Sequence, residues 1–243
     1  VWDVRELRRT HTFPVRLNSQ GTLAMSRDGR VLLAKTALRE ATVWSLDTGD
    51  RIRVLLHDQM TNVTTVSLSA DGDRAAVGWR DSVTEVWDVT SGDLLMTAAG
   101  HTATVQSVHL SSDGSRLATS SEDGTAKVWD VASGTLVRTL GPFPRGPSTV
   151  RLKANGTRVA LALQDGSVGL WNVASGKRVR RYAAAMRKLP RPLRLEISRD
   201  GRRLAGIGRH AEEPPVGILF GKPARGGAST LATTPILGHG ACR

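Results

Sequence analysis

Five tryptophans recur along this chain at a fixed step. Trp44, Trp87, Trp129 and Trp171 lie 43, 42 and 42 residues apart, and Trp2 precedes Trp44 by 42. A second landmark keeps the same phase. Asp28, Asp71, Asp113 and Asn155 each precede a glycine, and each falls 16 positions before its own tryptophan. Two unrelated residue types holding one register over four units mark an internal repeat. A period of about 20–50 residues implies like units that bury their faces against one another.

The unit is best preserved between Gly100 and Leu140, GHTATVQSVHLSSDGSRLATSSEDGTAKVWDVASGTLVRTL. Its four short runs alternate apolar with polar residues, the period of a half-buried strand. Asp-Gly or Asn-Gly closes the first hairpin, because a tight turn there needs positive φ. Thr48-Gly49, Ser91-Gly92, Ser133-Gly134 and Ser175-Gly176 close a second hairpin after the tryptophan strand. Both hairpins fall on one side of the sheet. The variable connections, before the first strand and between the second and third, fall on the other, where binding residues usually sit.

Gly100-His101, Ser112-Asp113-Gly114, Glu122-Asp123-Gly124 and Val128-Trp129-Asp130 resemble the WD-repeat family of β-propellers. The resemblance implies an all-β fold, a β-propeller of four-stranded antiparallel blades. About five full blades plus part of another are expected, an incomplete ring in a single domain over 1–243. The units are a partial blade at 1–10, blades at about 11–56, 57–99, 100–141, 142–184 and 185–237, and the start of a next unit at 238–243. The fifth blade is degraded: His210 to Pro215 lengthens a loop, and Phe220 replaces the tryptophan. Seven blades is usual in the family, so the chain reads as a fragment of a longer WD-repeat protein. Its Arg- and Ala-rich composition suits a bacterial source.

In such proteins a His before the first strand, a Ser or Thr in the second, an Asp in the next turn and the Trp form a hydrogen-bonded set. By position these are His101, Thr119, Asp123 and Trp129. The second unit keeps Asp81 and Trp87, with His57 two residues out of register and Val77 in place of the hydroxyl. The fourth keeps Asp165 and Trp171, with Pro142 and Leu161 in place of His and Ser/Thr. The first has Leu38 where Asp belongs. A Thr–His–Asp trio invites a hydrolase reading, but no nucleophile elbow or oxyanion hole accompanies it. The set reads as structural, with no catalytic residues.

Six scattered His, no HExxH and one cysteine, Cys242, give no zinc pattern and no disulfide framework. No metal and no cofactor are expected. No apolar run approaches the ~20 residues of a membrane span. The chain opens Val-Trp-Asp without Met, and its lone cysteine suits a reducing, cytoplasmic setting.

The net charge is +12, with only six Lys among 34 basic residues. Lys177, Arg178, Arg180, Arg181, Arg187, Lys188, Arg191 and Arg194 form a run without an acid. It suits nucleic-acid phosphates or an acidic partner. Strand alternation splits Arg178 and Arg180 from Lys177 and Arg181, and only Tyr182 could stack on a base. A solvated outer strand is the plain alternative. Trp79, off register at the mouth of a variable loop, reads as a binding anchor or as a lid on the neighbouring blade. In the family the residue before the loop Asp contacts partners, which here means Arg80, Glu122 and Gln164.

The expected function is a non-catalytic scaffold for protein–protein interaction, the sensing or recruiting region of a larger signalling protein. It would present Trp79, Arg80, Glu122, Gln164, Arg187, Lys188 and Arg191 to a protein partner. The second reading is nucleic-acid or acidic-partner binding through residues 177–194.

Overall fold

The structure is a computed structural model that describes residues 1–3, 8–13, 23–59, 61–144, 146–165, 167–182, 191–197, 204–209, 216–220 and 232–235. A two-stranded antiparallel sheet comes first, β1 (Trp2–Asp3) with β2 (Arg8–Arg9). Five four-stranded sheets follow, each an antiparallel meander in chain order. Blade 1 holds β3 (Leu23–Met25), β4 (Val31–Ala37), β5 (Glu40–Ser45) and β6 (Arg51–Leu56). Blade 2 holds β7 (Val63–Leu68), β8 (Arg74–Trp79), β9 (Thr84–Asp88) and β10 (Leu94–Ala98). Blade 3 holds β11 (Val105–Leu110), β12 (Arg116–Ser121), β13 (Ala126–Asp130) and β14 (Leu136–Leu140). Blade 4 holds β15 (Thr149–Leu152), β16 (Arg158–Ala162), β17 (Val168–Asn172) and β18 (Arg178–Tyr182). Blade 5 holds β19 (Arg191–Ile197), β20 (Leu204–Arg209), β21 (Val216–Phe220) and β22 (Ala232–Pro235). The first strands β3, β7, β11, β15 and β19 lie side by side in succession. No closed ring is found among the described residues.

The core sits between sheets, because alternation turns the inner strands of each blade toward both neighbouring blades. Leu117 pairs with Trp129 across β12 and β13, and Ala118 pairs with Val128 one step away. Leu117 and Trp129 pack with Val86, Met96 and Ala98 of blade 2. Ala118 and Val128 face the other way, onto Val150, Leu152, Val159 and Leu161 of blade 4. A like cluster joins Leu33, Val43 and Leu55 of blade 1 to Val63, Val77 and Trp79 of blade 2. Each fully buried Leu or Val contributes roughly 1.5–3 kcal/mol. Those contributions exist only while two blades are in contact, so no blade is stable alone.

Main-chain bonds stitch the same junctions. Arg27 N–H donates to Ala70 O (2.8 Å), Ala70 N–H to Ser112 O (2.9 Å) and Ser112 N–H to Ala154 O (3.0 Å). Arginines add a second tie. Arg53 Nη2 donates to Thr90 O of blade 2 at 2.6 Å, and Arg138 Nε to Val173 O of blade 4 at 3.1 Å. Both lie nine residues after their blade's tryptophan. Arg74 Nη1 donates to Gly114 O (2.9 Å), and the stem of Arg116 covers Gly156. A Cβ on Gly114 would stand 2.6 Å from Arg74 Cδ, and one on Gly156 2.7 Å from Arg116 Cγ. A larger residue would have to push these arginine stems aside, and both positions hold positive φ besides, which favours glycine.

Side chains of the first strands also accept across the junctions. Ser67 Oγ takes Leu110 N–H (3.1 Å), and His109 Nδ1 takes Leu152 N–H (3.2 Å). An accepting Nδ1 carries no proton. Burial, and then the Arg151 guanidinium, push the pKa of His109 down from 6.5 to about 3. The unfolded chain therefore binds a proton below about pH 6.5 that the fold refuses. Stability is complete above that pH and is lost as pH falls from 6.5 toward 3. The limiting slope is about 1.4 kcal/mol per pH unit, and partial exposure of the ring narrows the range of pH over which it holds. H109Q keeps an acceptor for Leu152 but cannot titrate. It is expected to lose about 1 kcal/mol less than the parent protein between pH 6.5 and 5, read from urea midpoints. Equal losses in the two proteins would rule this out.

Candidate functional site

Two ends of the stacked blades differ in chemistry. At the hairpin end the turn carboxylates are consumed by the backbone. Ser26 Oγ donates to Asp28 Oδ1 and Ser111 Oγ to Asp113 Oδ1, each at 2.6 Å. The same carboxylates accept Arg30 N–H and Ser115 N–H. Asp28 is held below the usual carboxylate range, chiefly by the Ser26 hydroxyl.

At the loop end of blade 3, His101 Nδ1 lies 2.7 Å from Asp123 Oδ2, and Nε2 lies 2.8 Å from Thr119 Oγ1. Trp129 Nε1 donates to the same Thr119 oxygen at 3.2 Å. Asp123 can only accept, so Nδ1 carries the hydrogen. The Thr119 hydroxyl then donates to Nε2 and accepts from the indole. Burial pushes the His101 pKa down, and the Asp123 hydrogen bond and charge offset only part of that. Burial raises Asp123, but the Thr125 hydroxyl, the His101 ring and Thr125 N–H outweigh it and hold the carboxyl low. Thr119 is fully buried and His101 is 8% exposed. A hydroxyl enclosed in this way cannot meet a substrate, which removes the hydrolase reading of these residues.

Blade 2 solves the same place differently. Val77 offers no acceptor, and Trp87 Nε1 is buried without a partner. The polar set has moved to Trp79. Its indole N–H donates to Glu85 Oε2 at 2.9 Å, while Glu85 Oε1 lies 2.8 Å from His57 Nδ1. His57 Nε2 lies 3.0 Å from Asp81 Oδ2, and the His57 ring stacks on Trp79 with centroids 5.1 Å apart. The expectation that Trp79 anchors a partner is therefore corrected. Trp79 has 0% exposure and belongs to the junction with blade 1. An aromatic reads as an anchor when it sits beside a loop, but here Glu85 satisfies its one polar atom inside the fold.

Blades 1 and 4 use aromatics. Phe13 packs on Trp44 (5.4 Å), and Phe143 meets Trp171 edge to face (5.7 Å). Phe143, and not Pro142, thus takes the histidine's place in blade 4. Pro142 forms a cis peptide bond with Gly141 just before it.

The residues left for solvent are the loop tips. Arg80 is exposed, with its N–H donating to Asn62 O at 2.9 Å. Glu122 is exposed, pinned by its N–H to Thr104 O (3.1 Å), and accepts Gln106 Nε2 at 2.7 Å. Gln164 is half-buried. Leu38 stands where the other blades place Asp81, Asp123 and Asp165, and at 67% exposure it is an apolar tip among polar ones. Arg187 and Lys188 lie outside the described residues. Arg191 begins β19, and its backbone pairs with Arg209.

The basic stretch does not form one surface. Lys177 and Arg178 stand at the hairpin end of β18, and Arg181 sits near the loop end, 3.8 Å from Asp165. Arg180 pairs with Leu170 as Arg138 pairs with Val128 and Arg53 with Val43, the place of the junction arginines. Among the described residues, no group of three or more His, Cys, Asp or Glu is placed to hold a metal ion, and no helix is long and apolar enough to cross a membrane.

Antiparallel four-stranded meanders, packed face to face with buried tryptophans between them, define a protein of propeller-blade architecture. The WD40 family model (WD domain, G-beta repeat) matches residues 92–130, a span that includes His101, Thr119, Asp123 and Trp129. Residues 92–130 thus carry a WD repeat, the unit whose tryptophan and turn spacing recurs along the chain. No curated protein matches it.

Proposed function

We propose that this chain is a non-catalytic scaffold that holds a protein partner at the loop end of its blades, within a larger signalling protein of the cytoplasm. WD-repeat domains act in general as protein-interaction scaffolds, and nothing in the blade 3 set asks for chemistry. One observation carries the reading: the histidines and carboxylates behind the loops are tied down inside the fold, while Leu38, Arg80 and Glu122 project from backbone fixed across strands. Exposed side chains on a rigid frame lose little freedom on binding. Gln164 completes the row on blade 4.

The test places a photoactivatable cross-linking residue at 80, 122 or 164, and at Ser133 on the opposite end as the reference. Discrete adducts are expected from the first three positions and none from Ser133. Equal labelling at all four positions, or none at any, would overturn the reading.

A further inference from the structure

We propose that the hairpin end of blade 4 is a binding site for an acidic segment of another protein, a short run of Asp and Glu carboxylates. It lies on the opposite end from the loop tips, so it stands or falls separately from them.

The repeat itself shows what is unusual there. The first-hairpin position reads Asp28, Asp71, Asp113 and then Asn155, and the residue after the tryptophan reads Ser45, Asp88, Asp130 and then Asn172. Both amides still cap their turns. Asn155 Oδ1 accepts Thr157 N–H (3.3 Å), and Asn172 Oδ1 accepts Ser175 N–H (2.8 Å). The turn needs only the oxygen, so blade 4 keeps the geometry and drops the charge.

Dropping it uncovers an arginine. Arg116 of blade 3 pairs with Asp130 across the ladder, whereas Arg158, its counterpart, stands opposite Asn172. Arg158 is exposed, with no carboxylate partner among the described residues. Two lysines flank it on the same face of the sheet. Lys153 N–H donates to Arg158 O (2.9 Å) and Asn172 N–H donates to Lys177 O (3.0 Å), whereas Arg178 pairs with Trp171 and belongs to the opposite face. Lys177 and Arg178 are exposed. The position six after the tryptophan runs Asp50, Asp93, Thr135 and Lys177, from acid to base along the blades. The one acid in blade 4, Asp165, lies at the other end beside Arg181.

A planar guanidinium fork matched to carboxylates, with two ammonium groups beside it, suits a short anionic peptide. A nucleic-acid duplex fits less well. Laid across the hairpin end it would meet the exposed carboxylates of Asp71, Asp73 and Asp93 on blade 2. No base can stack either, since Trp171 is buried beneath the turn.

The experiment titrates the full chain against a fluorescein-labelled oligoglutamate peptide and, separately, a duplex oligonucleotide of equal charge, at low and at physiological salt. Salt-sensitive peptide binding is expected. It should weaken about tenfold in R158E/K177E, the loss expected of a few exposed charge pairs, and should be unchanged in D71K/D73K. N155D/N172D restores the acids of blade 3 while keeping both caps, and should weaken binding about threefold without altering the fold. Absent peptide binding at low salt, or binding indifferent to the blade 4 variants, overturns the proposal. Tighter binding of the duplex through the same residues also overturns it and assigns the patch to nucleic acid.

Discussion

Replacing Asp123 with alanine is expected to destabilise blade 3 by about 3 kcal/mol, whereas the same change at Asp165 in blade 4 costs less than about 1. The two aspartates stand at one repeat position, but blade 4 lacks the histidine and the hydroxyl that surround the first. Asp123 accepts from the His101 ring, Thr102 N–H, Thr125 N–H and the Thr125 hydroxyl. Its loss leaves the buried Nδ1–H of His101 with only the Thr125 hydroxyl at 3.4 Å and loosens the ring that orients Thr119 toward Trp129. Asp165 holds Ser167 N–H and a loose contact with Arg181, with 58% of its side chain exposed. Amide hydrogen exchange read blade by blade separates the outcomes, because a stacked array need not unfold in one step. Equal loss of protection around residues 123 and 165 would contradict the assignment.

An effect of similar size is expected at Glu85, where a glutamate in the middle of a strand looks replaceable. Glu85→Ala should cost about 3 kcal/mol or more, because it strands two buried groups at once, the Trp79 indole N–H and His57 Nδ1. Glu85→Gln keeps one acceptor but turns an amide N–H toward the other donor, and should cost about half as much. Thermal and urea unfolding of both variants, with near-ultraviolet circular dichroism for the tryptophan packing, supply the measurement. A cost below about 0.5 kcal/mol for Glu85→Ala, the range of ordinary surface changes, would show that Glu85 bears no such network.

The two networks also mark how far the residues could be read before the fold was known. Tryptophan spacing and the Asp-Gly turns specify four-stranded units, since period and turn chemistry are local properties. His101, Thr119, Asp123 and Trp129 were legible because blade 3 follows its family's pattern position by position. The blade 2 set was not, because Glu85 and Trp79 stand where blade 3 has Lys127 and Ser121, so the family's pattern does not pair them. One signal was present: Val83, Glu85 and Trp87 alternate onto one face, and a lone carboxylate on a tryptophan's face needs a partner. For Trp79 the sequence leaves anchor and lid open, as loop proximity says nothing of where the ring turns, and its packing with blade 1 fits the lid. The junction arginines were countable at nine after Trp44 and Trp129, yet their purpose depends on the next blade's carbonyls, which no single strand reveals.

The three bonds from Arg27 to Ala70, Ala70 to Ser112 and Ser112 to Ala154 have a consequence for how this architecture tolerates change. Both partners are peptide groups, so of the ordinary substitutions only proline deletes the donor. The spacing between neighbouring blades is thereby insulated from side-chain identity. That insulation lets one blade close on a carboxylate, another on a hydroxyl and two on phenyl rings without disturbing the step from each to the next.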